Sequence, residues 1–143
     1  MENVPEKIRK KLRNSLKKLD NGNRTVVAVY LFGSNVRGEA GKDSDLDLAF
    51  LLDERAYKND PLATAAPAYL AATNLGMFLR MKTDVTILNA ASLEIAYEVV
   101  TTGKCLLEYD TDKRMDYEIA LRGMYFDFKP FLEELRSNCV NNL

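Results

Sequence analysis

The chain has 143 residues, 47% of them hydrophobic and 29% charged, and its 20 basic and 21 acidic side chains leave a formal net charge of -1. That length and mixture predict a single globular domain over residues 1–143, and the charge balance argues against bulk capture of nucleic acid, so no direct nucleic-acid partner is expected. The sequence has no histidine, which excludes Ser-His-Asp triads, histidine general bases and histidine-ligated zinc.

Cys105 and Cys139 are too few and too widely spaced for a thiolate zinc site, and they read as free thiols of a reducing compartment. No apolar run approaches the roughly 20 residues that span a bilayer, and the first residues do not resemble a signal peptide. The expectation is a cytoplasmic protein with no membrane partner.

In chain order, Ile8, Leu12, Leu16 and Leu19 recur at helical spacing and predict an amphipathic helix from Pro5 to Leu19. Its other face carries Lys7, Arg9, Lys10, Lys11, Arg13, Lys17 and Lys18, read as a solvated face, with an acidic partner or RNA as the sharper alternative. Asp20-Asn21-Gly22-Asn23 ends that helix. Thr25 to Phe32 is a β-branched and aromatic run suited to a strand buried on both faces. Leu46 to Leu52 predicts a second strand ending at Asp53-Glu54, and Gly33 to Ser44 between them leaves room for a turn and a short helix.

Leu62 to Met81 favours helix, with Pro61 near its first turn, and Thr83 to Leu88 predicts a third strand. A helix follows over Ala91 to Thr102, with Ser92 as N-cap and Gly103 as its stop. Cys105 to Glu108 reads as a short edge strand. From Thr111 a long helix carries a stripe of Leu121, Met124, Phe128, Phe131, Leu132 and Leu135, expected to face the core, with a partner-facing surface as the alternative, and Pro130 is expected to kink or divide it. This order predicts an α+β (α/β-type) fold in which helices cover a small mixed sheet. Residues 25–110 form its core, and 111–140 a C-terminal helical segment.

The chemistry concentrates between Gly33 and Asp47. Gly33 permits positive φ and close backbone approach, and Ser34 adds a hydroxyl and an N–H, so a strand-to-helix turn here can hold phosphate oxygens. In a strand, Asp45 and Asp47 share one face about 6.6 Å apart along the backbone. Two carboxylates about 4 Å apart repel by on the order of 4 kcal/mol at an effective dielectric of 20. A divalent cation offsets that repulsion, and magnesium uses one or two carboxylates plus substrate phosphates. The bland alternative is a pair of solvent-facing aspartates at the start of a strand. Arg37 reaches a phosphate or instead locks the loop to Asp43 or Asp45. Lys42 is a weaker phosphate candidate, while Gly38 and Ser44 suit the loop itself.

Gly33-Ser34, ten residues, then Asp45-Leu46-Asp47 resembles the signature of the DNA polymerase β-like nucleotidyltransferase superfamily. The fuller GSNVRG…DSDLDLAF resembles its minimal nucleotidyltransferase branch. The resemblance covers roughly Val26 to Leu88. It implies a third carboxylate on a neighbouring strand, for which Asp84 is the matching position. It also implies that Asp45, Asp47 and Asp84 hold magnesium, usually two ions, with Gly33, Ser34 and Arg37 at the nucleotide. Nucleotidyl transfer to a hydroxyl then releases pyrophosphate, and ATP as substrate enters only through this resemblance. Stand-alone proteins of this build resemble the MntA antitoxins, which implies a HEPN-domain RNase toxin as partner and AMP transfer to one of its tyrosines. The alternatives are a small-molecule nucleotidyltransferase of the aminoglycoside type and an antitoxin that acts by binding alone. A single domain leaves acceptor recognition to the last helices or to another protein.

Overall fold

A computed structural model describes residues 4–19, 25–33 and 45–141. Along the chain these form α1 (Val4–Leu19), β1 (Val26–Phe32), β2 (Leu46–Leu52), α2 (Glu54–Asn59) and α3 (Pro61–Leu79). β3 (Thr83–Ile87), α4 (Leu93–Thr102), β4 (Lys104–Glu108) and α5 (Thr111–Asn141) follow, with a single 3-10 turn at Leu88–Ala90.

The four strands form one mixed sheet in the order β3-β2-β1-β4. β1 is antiparallel to β2 and to β4, whereas β2 and β3 run parallel. A parallel pair needs a long crossover, and α2 with α3 supplies it. β1, the most apolar run in the chain, is accordingly an interior strand buried from Val26 to Leu31.

Side-chain alternation sorts β2 onto two cores. Leu46, Leu48, Phe50 and Leu52 join Ile8, Leu12 and Leu16 of α1 and Ala68, Ala72 and Leu75 of α3. Ala49 and Leu51 face the other way, with Ala96 and Val99 of α4 and Leu121 of α5. The molecule is thus a helix–sheet–helix sandwich. Tyr30, 1% exposed, reaches through the second core, where its hydroxyl donates to Glu118 at 2.8 Å and accepts from Arg114 Nε at 3.2 Å. Those bonds tie the first turns of α5 to the middle of the sheet.

Helix ends follow local chemistry. Ser92 Oγ accepts from Ile95 N, and Gly103 closes α4, as expected. Pro61 opens α3 behind the N-cap Asp60, and Arg80 ends it at φ 56. The helix α2 was not anticipated. Its signal is Asp53, which accepts from Ala56 N at 3.0 Å as an N-cap, directly before a run that suits helix.

Three expectations need correction. The stripe on α5 is not core beyond its first member: Leu121 is buried, but Met124, Phe128, Phe131 and Leu135 are 46–56% exposed. The reason is length. Thirty-one residues make a helix of about 46 Å, whereas a seven-residue strand spans about 23 Å, so the second half of α5 overshoots the sheet. Pro130 does not divide α5, which runs from Thr111 to Asn141 as one helix; the residues around Pro130 are exposed, and the backbone acceptor it leaves without an N–H is open to water. Finally, one run does reach membrane-spanning length. The uncharged Pro61–Leu79 has a mean hydropathy of 1.2 over 18 residues and qualifies by length and composition. Here Ala65, Ala68, Ala71, Ala72 and Leu75 seat it against the sheet.

Candidate functional site

Asp47 is the second residue of β2 and pairs in register with Phe32 of β1 on one side and with Asp84 of β3 on the other. Because Leu46 and Leu48 point into the α1–α3 core, Asp47 points to the opposite face. On β3, Val85 and Ile87 belong to that same α1–α3 core, so Asp84 also lies on the opposite face. Asp45 precedes β2 by one residue and shares the side of Asp47 by alternation. The structure therefore brings the three candidate carboxylates to one face at one end of the sheet.

Their electrostatics agree with that placement. The Asp47 carboxyl is pushed above its ordinary range, first by desolvation, then by the negative charge of Asp84, then by that of Asp45. The partner across the sheet thus acts on Asp47 more strongly than its neighbour in sequence does. All three are hard oxygen donors that fit a magnesium ion, which ordinarily completes its octahedron with water and substrate phosphates. Among the described residues, no three His, Cys, Asp or Glu side chains close into a ready-made ligand set. Magnesium's habit of keeping ligands that the protein does not supply suits such an open arrangement.

Gly33 is the residue that joins turn and carboxylate. It ends β1 at φ +80, and a Cβ added there would collide with Asp47 Oδ2 and stand 3.2 Å from Asp47 Cγ. Only a residue without a side chain takes this backbone turn so close to the carboxylate. The polarity of the site thus begins where the apolar strand ends. Ser34 and Arg37, expected at the nucleotide, lie outside the described residues, as do Gly38, Lys42, Asp43 and Ser44. Phe32 was not singled out from the sequence. It is the in-register neighbour of Asp47 and packs against the α4–α5 core, a role that only the strand register reveals.

A mixed sheet flanked by helices, with an antiparallel strand pair leading through a glycine turn to paired carboxylates, defines a nucleotidyltransferase-type domain. The sequence matches the family described as polymerase beta, nucleotidyltransferase, over residues 10–112, and the chain belongs to that family. Its minimal members share the fold. A chain from a toxin–antitoxin complex with AMP-PNP is similar at 25% identity and a TM-score of 0.64, covering 89% of this chain and 97% of that one. A chain from the toxin–antitoxin MntA–HepT is 22% identical, with a TM-score of 0.59 over 91% of this chain and 97% of that one. A chain from a complex of a tri-AMPylated Shewanella oneidensis HEPN toxin with an MNT antitoxin is 22% identical, with a TM-score of 0.59 over 92% and 98%. At 22% identity the last two establish the fold alone. No functionally curated protein matches the chain.

Proposed function

We propose that this chain is a magnesium-dependent protein adenylyltransferase antitoxin, which moves AMP from ATP to a tyrosine of a cognate HEPN-domain RNase toxin and thereby silences it. The observation that carries the transferase reading is the in-register pairing of Asp47 with Asp84 beside the side-chain-free turn at Gly33. The antitoxin reading is supported by the likeness, at near full length, to a chain of a toxin–antitoxin complex with AMP-PNP.

Asp45 and Asp47 would hold the ion on the triphosphate, and Asp84 would share a second. Magnesium supplies charge neutralisation at the attacking and leaving oxygens of an in-line displacement. Gly33 leaves the approach to Asp47 open to the nucleotide. Asp84, exposed on its strand, faces the acceptor and takes its hydroxyl proton on the way to solvent. The acceptor oxygen bonds to the α-phosphorus of ATP, the bond from that phosphorus to the bridging oxygen breaks, and pyrophosphate leaves. Ser34 and Arg37 are proposed phosphate contacts. We assign the protein to the cytoplasm, where ATP is abundant and thiols such as the free Cys105 stay reduced.

The test is to incubate the full chain with its cognate toxin, ATP and magnesium, and to weigh the toxin. An added AMP that appears together with loss of RNase activity is the expected result. A toxin that is fully inhibited at unchanged mass would reject enzymatic neutralisation in favour of binding alone.

A further inference from the structure

β3 closes one side of the sheet. In a strand, a residue's N–H and C=O point to the same side, and successive residues alternate. The carbonyl of Lys82 accepts from Leu46 N at 2.8 Å, so Asp84 and Thr86 also turn their backbone groups toward β2. The backbone groups of Thr83 and Val85, and the N–H of Ile87, therefore face outward, on the side of β3 where the sheet has no further strand; the Ile87 carbonyl opens the 3-10 turn that follows. An unpaired row of donors and acceptors is a template for one kind of occupant, an extended chain.

The two faces of this edge differ. On the α3 side an open groove of about 540 Å³ is lined by Tyr57, Leu62, Ala65, Tyr69, Val85 and Ile87. Leu62 and Tyr69 are 83% and 50% exposed, an apolar wall without a covering element among the described residues. Thr86, Ala90 and Ala91 also border that groove, and Asp84 stands on the opposite face, outside it. A strand laid along β3 would alternate its side chains between apolar groove and carboxylates.

Resting on the transferase reading above, we propose that β3 receives the acceptor as an added strand. The acceptor is an extended segment of the target protein in which the tyrosine lies on the Asp84 face and the residues on either side of it are apolar and enter the groove. A second copy of this chain is a poorer occupant. Pairing the same edges about a two-fold axis would set two Asp84 carboxylates on one face of a short ribbon, where like charges are destabilising.

The probe is a fluorescein-labelled peptide, Lys-Thr-Val-Tyr-Val-Thr-Lys, with two derivatives N-methylated at alternate residues, one in each phase. Binding to the full chain is read by fluorescence anisotropy without nucleotide. One phase blocks the bonds to β3 and the other leaves them intact. The first derivative should bind about tenfold more weakly or worse, for two lost hydrogen bonds of about 1 kcal/mol each. The second should match the parent. Equal loss in both phases, no loss in either, or no binding of the parent overturns the added strand. Val85→Pro removes one outward N–H at an edge position that tolerates proline; it should weaken the parent peptide with an unchanged circular dichroism spectrum. Leu62→Lys should weaken it through the groove and covers the case in which Val85→Pro fails to fold. A dimer of the wild type that Leu62→Lys dissociates would identify a second copy as the occupant and overturn the proposal. Addition of ATP and magnesium, followed by peptide mass, reads the chemistry separately: phase-selective binding without an added AMP upholds the strand and rejects the transferase reading.

Discussion

Asp47 and Asp84 are register partners across the one parallel strand pair of the sheet, at its open end, and each lies on the face away from the α1–α3 core. The pairing sets two carboxylates side by side, and the Asp47 carboxyl is pushed above its ordinary range first by burial, then by the charge of Asp84 and then by that of Asp45. Such an arrangement persists where function uses it, with stability set against activity. Asp47→Asn, Asp84→Asn or Asp45→Asn should lower nucleotidyl transfer by about 10³-fold or more, several kcal/mol of charge stabilisation lost. Asp47→Asn should at the same time raise Tm, because it relieves a half-buried carboxylate beside two like charges. Rates from labelled ATP and a thermal melt check both halves, and an active Asp47→Asn variant would refute the assignment of the site.

Gly33 is placed where any side chain meets both a positive φ and the Asp47 carboxylate. Gly33→Ala should cost about 1–3 kcal/mol of backbone strain in a denaturant titration. It should also reduce transfer well beyond what that destabilisation explains, because the carboxylate must move. Retention of wild-type kcat would show that the turn and the carboxylate act independently.

Asp53 caps α2 and receives Lys113 Nζ at 2.6 Å, which bridges from α5. The hydrogen bond from Lys113, followed by that from Ala56 N, holds the Asp53 carboxyl below its ordinary range. A depressed carboxylate stabilises the fold above its unfolded pKa and loses that contribution as pH falls through its folded one. Asp53→Asn keeps a capping side chain but not the charge. It should therefore melt below the wild type at neutral pH, and the two melting curves should converge in strong acid. A difference that persists unchanged in acid would contradict the ion-pair account.

Leu121 and Phe131 test where the core ends. Leu121→Ala removes a side chain 3% exposed and should cost about 2–5 kcal/mol. Phe131→Ala, at a site 56% exposed, should stay within about 0.5 kcal/mol. Urea unfolding of the two variants decides it, and a large loss for Phe131→Ala would show that this half of α5 is covered in solution.

The sequence by itself determined every element but α2, and it pointed to the residues of the candidate site. Strand and helix periods are local, so α1, α3, α4 and the strands lie within about two residues of their expected bounds. The caps at Ser92, Gly103 and Pro61 are likewise short-range. Gly33, Asp45 and Asp47 are legible because a turn and two carboxylates fall within one stretch of chain. Asp84 was named only through the family resemblance, and the tertiary structure decided that it meets Asp47. Asp84 stands beside Asp47 only because a parallel crossover sets the β2–β3 register, and no local pattern encodes a register between strands so far apart in sequence. The same holds for α5, whose apolar stripe has the period of a buried face. Whether that face is buried depends on how far the sheet beneath it extends, and this sheet ends before the helix does.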